Sequence, residues 1–451
     1  MIPAAFLNRM QSLLGNEFSA FLAALSEPSR HALRKSRAKG AREELLLSAL
    51  PGLFPLSYAE GGYLIPEGVR PGVHPLHHAG AYYMQDPSAM AAVAALPFPI
   101  EGWRVLDLCA APGGKTSQLS DAVGACGLLF SNEIVRSRAL TLLGNIERLG
   151  LRNTAVLSLD PREVAALFDR YFDLTVVDAP CSGEGMFRKH PEAAAEWSEA
   201  AVTAAAERAR LVLGEAARTV REGGYLLFST CTFAEEENED TVVCFLARHP
   251  DFELVPLSPA VTAVTAPGIE GKGRPAEIAY TRRFYPHLAP GEGQYIALLR
   301  RVSGGVGAIS YRPLSPLAGR EEAAARAALS DFLALPEAPL YRAGDTLLTA
   351  PSEMPLTPRG LLRAGVALAT ERGKLLLPHH QAASALGQAF CAALPLTLDD
   401  PRLSRYLHGE EIEAPAHLSG FAAVTVEGIP LGLVKCSGGR AKNHYPKGLR
   451  T

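Results

Sequence analysis

The sequence predicts an α/β protein built on a doubly wound, mostly parallel sheet, and three observations carry that expectation. Short apolar segments alternate with helical patterns from about residue 104 to residue 300. A turn of small residues, Cys109-Ala110-Ala111-Pro112-Gly113-Gly114-Lys115, follows the first of these segments. Acidic residues then close the next three: Glu133, Asp160 and Asp178.

Strands are expected at 104–109, 127–132, 154–159, 173–178, 224–230 and 294–300, apolar along their length as strands covered on both faces are. Helices are expected at about 115–123, 135–149, 161–168, 193–221 and 235–248. Upstream, Phe6, Met10, Leu13 and Leu14, then Phe18, Phe21 and Leu22, share one face of a helical pattern over 4–26, so residues 1–60 are expected to form a helical N-terminal segment. Residues 51–82, rich in Pro, Gly, His and Tyr, read as extended or looped connection. The main domain is expected over 61–303, with 266–293 as a surface excursion and 302–317 as a linker. A helix is expected at 320–333 and a β-hairpin at 422–426 and 430–435, joined by Glu427-Gly428, within one or two small accessory domains over about 318–451.

At 451 residues the chain exceeds what one core supports, and 48% apolar with 20% charged residues describes globular rather than disordered protein. No apolar run reaches membrane-spanning length, and Met1-Ile2-Pro3-Ala4-Ala5-Phe6 lacks the features of a secretory signal, so a cytoplasmic location without membrane contact is expected. The seven cysteines form no CxxC pair and no zinc-spaced cluster, which predicts reduced thiols and no metal. Cys126, Cys244, Cys391 and Cys436 read as small buried apolar residues. A net charge of −3 hides two basic ends. Residues 1–42 carry seven Lys or Arg against Glu17 and Glu27, and 435–451 carries five with no carboxylate side chain, a pattern suited to phosphate. A monomer is the default expectation.

Gly113 and Gly114 let a ligand approach the backbone closely, and Glu133, 19 residues beyond Gly114, suits ribose hydroxyls. Asp160 is expected to face an adenine. A single acidic residue after a strand is more often a helix cap, but several at successive strand ends favour a ligand edge. The turn has neither dinucleotide nor Walker spacing, since position 109 is Cys109 where a phosphate loop needs glycine. S-adenosylmethionine, which has no pyrophosphate, fits better.

Cys181, in Asp178-Ala179-Pro180-Cys181-Ser182-Gly183, and Cys231, in Ser229-Thr230-Cys231-Thr232, follow neighbouring expected strands and are placed to share one cleft. Cytosine C5 is too weak a nucleophile to take a methyl group unaided. A thiolate adding to C6 activates it, and a second acid/base group then serves release. Asp178, three residues before Cys181, is placed to assist at ring N3. Spacing alone does not rank the two thiols.

These segments, with Tyr83-Met84-Gln85-Asp86-Pro87-Ser88-Ala89-Met90 and Lys442-Asn443-His444-Tyr445-Pro446-Lys447-Gly448-Leu449-Arg450, resemble the bacterial RsmF-type ribosomal RNA cytosine-5 methyltransferases of the RsmB/RsmF group. The resemblance extends over nearly the whole chain. It implies a Rossmann-like S-adenosylmethionine-dependent methyltransferase domain with a ferredoxin-like element at 318–380 and a PUA-like RNA-binding domain at 385–451. It implies that Cys109 to Lys115, Glu133, Asp160 and Asp178 contact the cofactor, that Cys231 is the nucleophile, and that Cys181 assists release. The implied partner is ribosomal RNA or the small ribosomal subunit. Arg188 and Lys189 are then expected near the RNA backbone, and Tyr82-Tyr83 near a flipped base. A non-catalytic RNA-binding factor and an NAD-dependent oxidoreductase are the alternatives, both separable by cofactor titration.

Overall fold

Val105, Leu106, Leu129, Phe130, Val156, Val176, Val177, Leu227 and Phe228 are all fully buried, which requires cover on both faces of the sheet they form. The computed structural model describes residues 2–335, 337–357, 359–373 and 375–450. The central strands are β1 (Arg104–Asp107), β2 (Leu128–Asn132), β3 (Thr154–Leu157), β4 (Phe172–Asp178), β5 (Val220–Thr230) and β6 (Gln294–Arg301). They lie in the order β3-β2-β1-β4-β5-β6, parallel through β5, with β6 antiparallel to it. The order reverses between β1 and β4, and ligands of such sheets bind at that switch, beyond the carboxyl ends.

Helices α1 (Gly114–Val123), α2 (Arg136–Leu149), α3 (Pro161–Leu167), α4 (Glu199–Thr219) and α5 (Glu239–Arg248) cover the sheet. The helix expected at 193–221 is two helices, Pro191–Glu196 and α4, because the Ser198 hydroxyl accepts the Ala201 N–H at 3.1 Å and caps a fresh start. The helix expected from 235 begins at Glu239, and 235–238 form a turn.

The stretch 51–82 is not simple connection. Phe54–Pro55, Gly62–Leu64 and Tyr82–Met84 join Ala32–Lys35 in a four-stranded antiparallel sheet that straddles residue 60. Its strands have two to four residues, too few for a period-2 pattern to declare itself. Arg34 and Lys39, read as part of a basic surface, lie inside: Arg34 pairs with Asp121, and the Lys39 ammonium donates to Ser384 O at 2.6 Å and Pro430 O at 3.0 Å. Tyr82 is also buried and its hydroxyl donates to Pro71 O, so this tyrosine serves packing rather than base stacking.

The expected linker is packed against the main domain, with Gly307 N donating to Arg170 O at 3.1 Å and the Tyr311 hydroxyl to Pro355 O at 2.6 Å. Beyond helix Gly319–Leu329, the strands Leu340–Ala343, Thr346–Thr349, Val366–Arg372 and Leu375–Pro378 form an antiparallel meander in sequence order. Leu361–Ala364 leaves this meander to pair with β3. A ferredoxin-like element needs β-α-β crossovers. Among the described residues, 318–380 has none. Last comes a five-stranded sheet containing the hairpin Gly420–Val426 and Ile429–Ser437. Its Val424, Leu431 and Val434 share a core with Leu33, Tyr63 and Tyr82 of the first sheet.

The amino-terminal helices, Ala4–Leu14 and Phe18–Ser26, bury Phe6, Met10, Phe21 and Leu25 against Phe187, Phe233 and Tyr285. Phe6 meets Phe187 edge-on at 5.0 Å and Phe21 meets Phe233 at 5.3 Å between ring centroids. Leu22, placed on the buried face from sequence, is exposed instead. Among the described residues no helix is long and apolar enough to cross a membrane.

Arg283 and Glu239 form a fully buried pair, Nε to Oε1 2.7 Å, and Arg283 also donates to Phe233 O at 2.8 Å. Arg283→Met strands the Glu239 charge and should cost about 3–5 kcal/mol in denaturant unfolding, whereas adding Glu239→Leu should recover most of the loss.

Candidate active site

The pairing of β4 with β5 sets Asp178 opposite Ser229, and the chain leaving each strand then carries a cysteine into one cleft. The sulfurs of Cys181 and Cys231 lie 3.1 Å apart, and the Cys231 backbone N–H points at the Cys181 sulfur from 3.3 Å. Gly185 makes this closeness feasible. Its N–H donates to Cys231 O at 2.9 Å, and an added Cβ would stand 2.6 Å from Gly293 Cα. The hydrogen bond to Cys231, burial, and the charges of Cys231 and Glu237 push the Cys181 thiol well above its ordinary pKa, so Cys181 holds its proton.

Asp178 extends toward the same point. Its Oδ2 accepts from Lys115 Nζ at 2.9 Å and its Oδ1 from the Ser229 hydroxyl at 2.7 Å. Burial works against the Lys115 charge, but Asp178, then Cys231 and Asp107, pushes its pKa up, so the ammonium stays charged. Beneath it, fully buried Asp107 accepts from the Thr116 hydroxyl at 2.7 Å, and burial pushes its carboxyl up to about 7.

The cavity beside the thiols has a volume of about 600 Å³, within the range of small-ligand sites. Cys109, Ala111, Glu133, Asp160, Asp178, Cys181 and Cys231 reach its wall. Ala110, Pro112, Gly113, Gly114 and Lys115 do not line it. Gly113 has φ +114°, and a Cβ there would sit 3.0 Å from Leu142 Cδ1, so the turn is shaped for glycine. An added Cβ at Gly114 would meet the Tyr83 ring at 3.3 Å, which places Tyr83 behind the turn and away from any stacked base. Cys109 is half-buried at the cavity wall, and desolvation raises its thiol pKa.

Glu133 is buried, with Oε1 accepting from Val135 N at 2.9 Å and Oε2 3.2 Å from Arg138. Asp160 caps α3 by accepting from Arg162 N at 2.9 Å while also facing the cavity, so the cap reading and the wall reading both hold. Among the cavity residues that sequence reasoning missed are Asn132 and Ile134. Asn132 stitches three strand ends, donating to Leu108 O and Leu159 O and accepting from Leu159 N. Ile134 offers an exposed apolar surface to the cavity, a signal present in the sequence as an isoleucine directly after the acidic strand end.

Arg188 and Lys189 do not reach outward. Arg188 is buried on Glu292 at 2.8 Å and donates to Ala24 O and Gly291 O, and Lys189 pairs with Asp86. Cys126 and Cys391 are exposed rather than core residues, whereas Cys436 is buried. Among the described residues no cluster of His, Cys, Asp and Glu is arranged to hold a metal ion.

A family model described as 16S rRNA methyltransferase RsmB/F matches residues 95–300. The N-terminal domain of 16S rRNA methyltransferase RsmF matches 2–87, and the methyltransferase RsmF PUA domain matches 393–451. Ribosomal RNA small subunit methyltransferase F of Klebsiella pneumoniae (strain 342) is 33% identical over 481 residues, covering 99% of this chain and 96% of that protein. The chain belongs to the RsmF family. The Erwinia tasmaniensis member is 31% identical over 476 residues, covering 99% of this chain and 96% of its own. The solved structure of a methyltransferase homolog protein from Pyrococcus horikoshii is 26% identical with a TM-score of 0.58, covering 66% of this chain and 94% of its own.

The cofactor of this RsmF-family chain is S-adenosylmethionine. The cavity fits it: Glu133 sets a buried carboxylate, Ile134 an apolar ledge and Asp160 a second carboxylate along one wall. Glu133→Gln, which removes a negative charge from the cavity wall, should weaken S-adenosylmethionine binding by about ten-fold in calorimetry, roughly 1.4 kcal/mol.

Proposed function

We propose that the chain methylates C5 of a cytosine in small-subunit ribosomal RNA through a covalent bond between Cys231 and ring C6. The observation that carries this reading is the pair of sulfurs 3.1 Å apart on the wall of the cofactor cavity. A methyltransferase acting on an exposed nitrogen or oxygen has no use for two adjoining thiols, whereas a ring carbon needs one to add and a second group to manage release.

S-adenosylmethionine supplies an electrophilic methyl group. The Cys231 thiolate adds to C6, and the ring electron pair displaced onto C5 takes the methyl. Methyl transfer leaves S-adenosylhomocysteine; the C5 proton then passes to solvent water, its electron pair re-forms the C5–C6 double bond, and the Cys231–C6 bond breaks to regenerate the thiolate. Cys181, kept protonated beside Cys231, is placed to exchange a proton with the leaving sulfur. Asp178 is oriented by Lys115 and Ser229 to hold the polar edge of the cytosine ring. Lys435 and Lys442 are exposed cross-strand partners of the last sheet, and with Lys447 they supply phosphate contacts away from the cleft.

Purified Cys231→Ser should show no methyl transfer to 16S ribosomal RNA from labelled S-adenosylmethionine, and wild-type turnover would refute the nucleophile assignment. Cys181→Ala should still attack but release slowly, so a protein–RNA adduct should build up on a denaturing gel where wild type shows little.

A further inference from the structure

Neither thiol is held by its strand alone, because Cys181 lies three residues beyond β4 and Cys231 one beyond β5. Fully buried Glu237, from the turn ahead of α5, reaches both segments. One carboxylate oxygen accepts the Ser182 backbone N–H at 2.8 Å. The other accepts the Ser182 hydroxyl and lies 3.1 Å from the Thr232 hydroxyl, and these two hydroxyls are 2.9 Å apart. The next residue, Asn238, donates to Thr232 O at 3.0 Å and accepts from the Thr230 hydroxyl. The residue after Cys181 and the residues on both sides of Cys231 are therefore tied to one turn.

We propose that Glu237 is a positioning residue for the thiol pair, fixing the separation of Cys181 and Cys231 and setting a negative charge beside Cys181. The proposal rests on the thiol roles given above and adds a group that touches neither substrate nor cofactor. A neutral polar residue would tie the same turns, so the charge is the distinguishing feature. Burial, with the charge of Glu184 adding to it, pushes the Glu237 carboxyl up to about 7. Around the pair, Glu184 faces Arg9, and Lys115 is near enough to Cys231 to feel its charge. As pH rises through neutrality Glu237 becomes negative, which holds the proton on Cys181 more tightly.

The test uses the full chain carrying Glu237→Gln or Ser182→Ala. The rate of Cys181 alkylation by iodoacetamide, read from its peptide by mass spectrometry, is followed against pH without RNA, and kcat and KM are measured on 16S ribosomal RNA. Glu237→Gln should move the alkylation profile about one unit toward acid and lower kcat about ten-fold with KM unchanged. Ser182→Ala, which withdraws one hydroxyl but no charge, should lower kcat about five-fold with the alkylation profile in place. A wild-type alkylation profile in Glu237→Gln overturns the charge role, and wild-type kcat in Ser182→Ala overturns the positioning role. The alkylation arm needs no methylation, so it reads Glu237 even if the cytosine reading fails.

Discussion

The register between β4 and β5 is the constraint on which the site depends. With Asp178 opposite Ser229, the two chains leave the sheet side by side and their cysteines meet 3.1 Å apart. A slip of one residue would shift one sulfur by roughly 3.3 Å and turn alternate side chains to the wrong face. The fully buried residues of both strands oppose it, since a slip would take Val176, Val177, Leu227 and Phe228 out of the close-packed positions they fill on the two covered faces. Core packing and chemistry are thus the same geometric fact.

Around that register the chain adds restraints from three directions. Lys115, rooted in the first helix of the sheet, pairs with Asp178 from below. Phe6 and Phe21 of the amino-terminal helices press on Phe187 and Phe233, which follow the two cysteines by six and two residues. Gly185 lets the thiol-bearing segments touch backbone to backbone, and Gly293 packs bare against Gly185 and the Phe233 ring. The first and last sheets share one core, with Lys39 donating across to Ser384 and Pro430, so the two basic ends of the sequence belong to one packed body.

Much of this was legible in the sequence because the central strands are apolar along their length and separated by helices of ordinary length. Cys181 and Cys231 were readable as cleft partners for the same reason: each follows within three residues a strand whose place in the sheet was already set. The first sheet was hidden by strands of two to four residues with prolines and glycines between them. Arg34, Lys39 and Arg188 read as surface charges because sequence carries no trace of Asp121, Ser384 or Glu292 lying opposite them. Glu237 sits in Glu235-Glu236-Glu237-Asn238-Glu239, an acidic run that reads as a solvated helix start, and only the fold shows that its third member points inward.

The most direct test of the central claim is mass spectrometry of peptides from the chain incubated with S-adenosylmethionine and 16S ribosomal RNA containing 5-fluorocytidine. Fluorine at C5 cannot leave as a proton, so the account predicts a stable link between the Cys231 peptide and a methylated fluorocytosine. Linkage through Cys181 instead, or methylated RNA with no linked peptide, would contradict it.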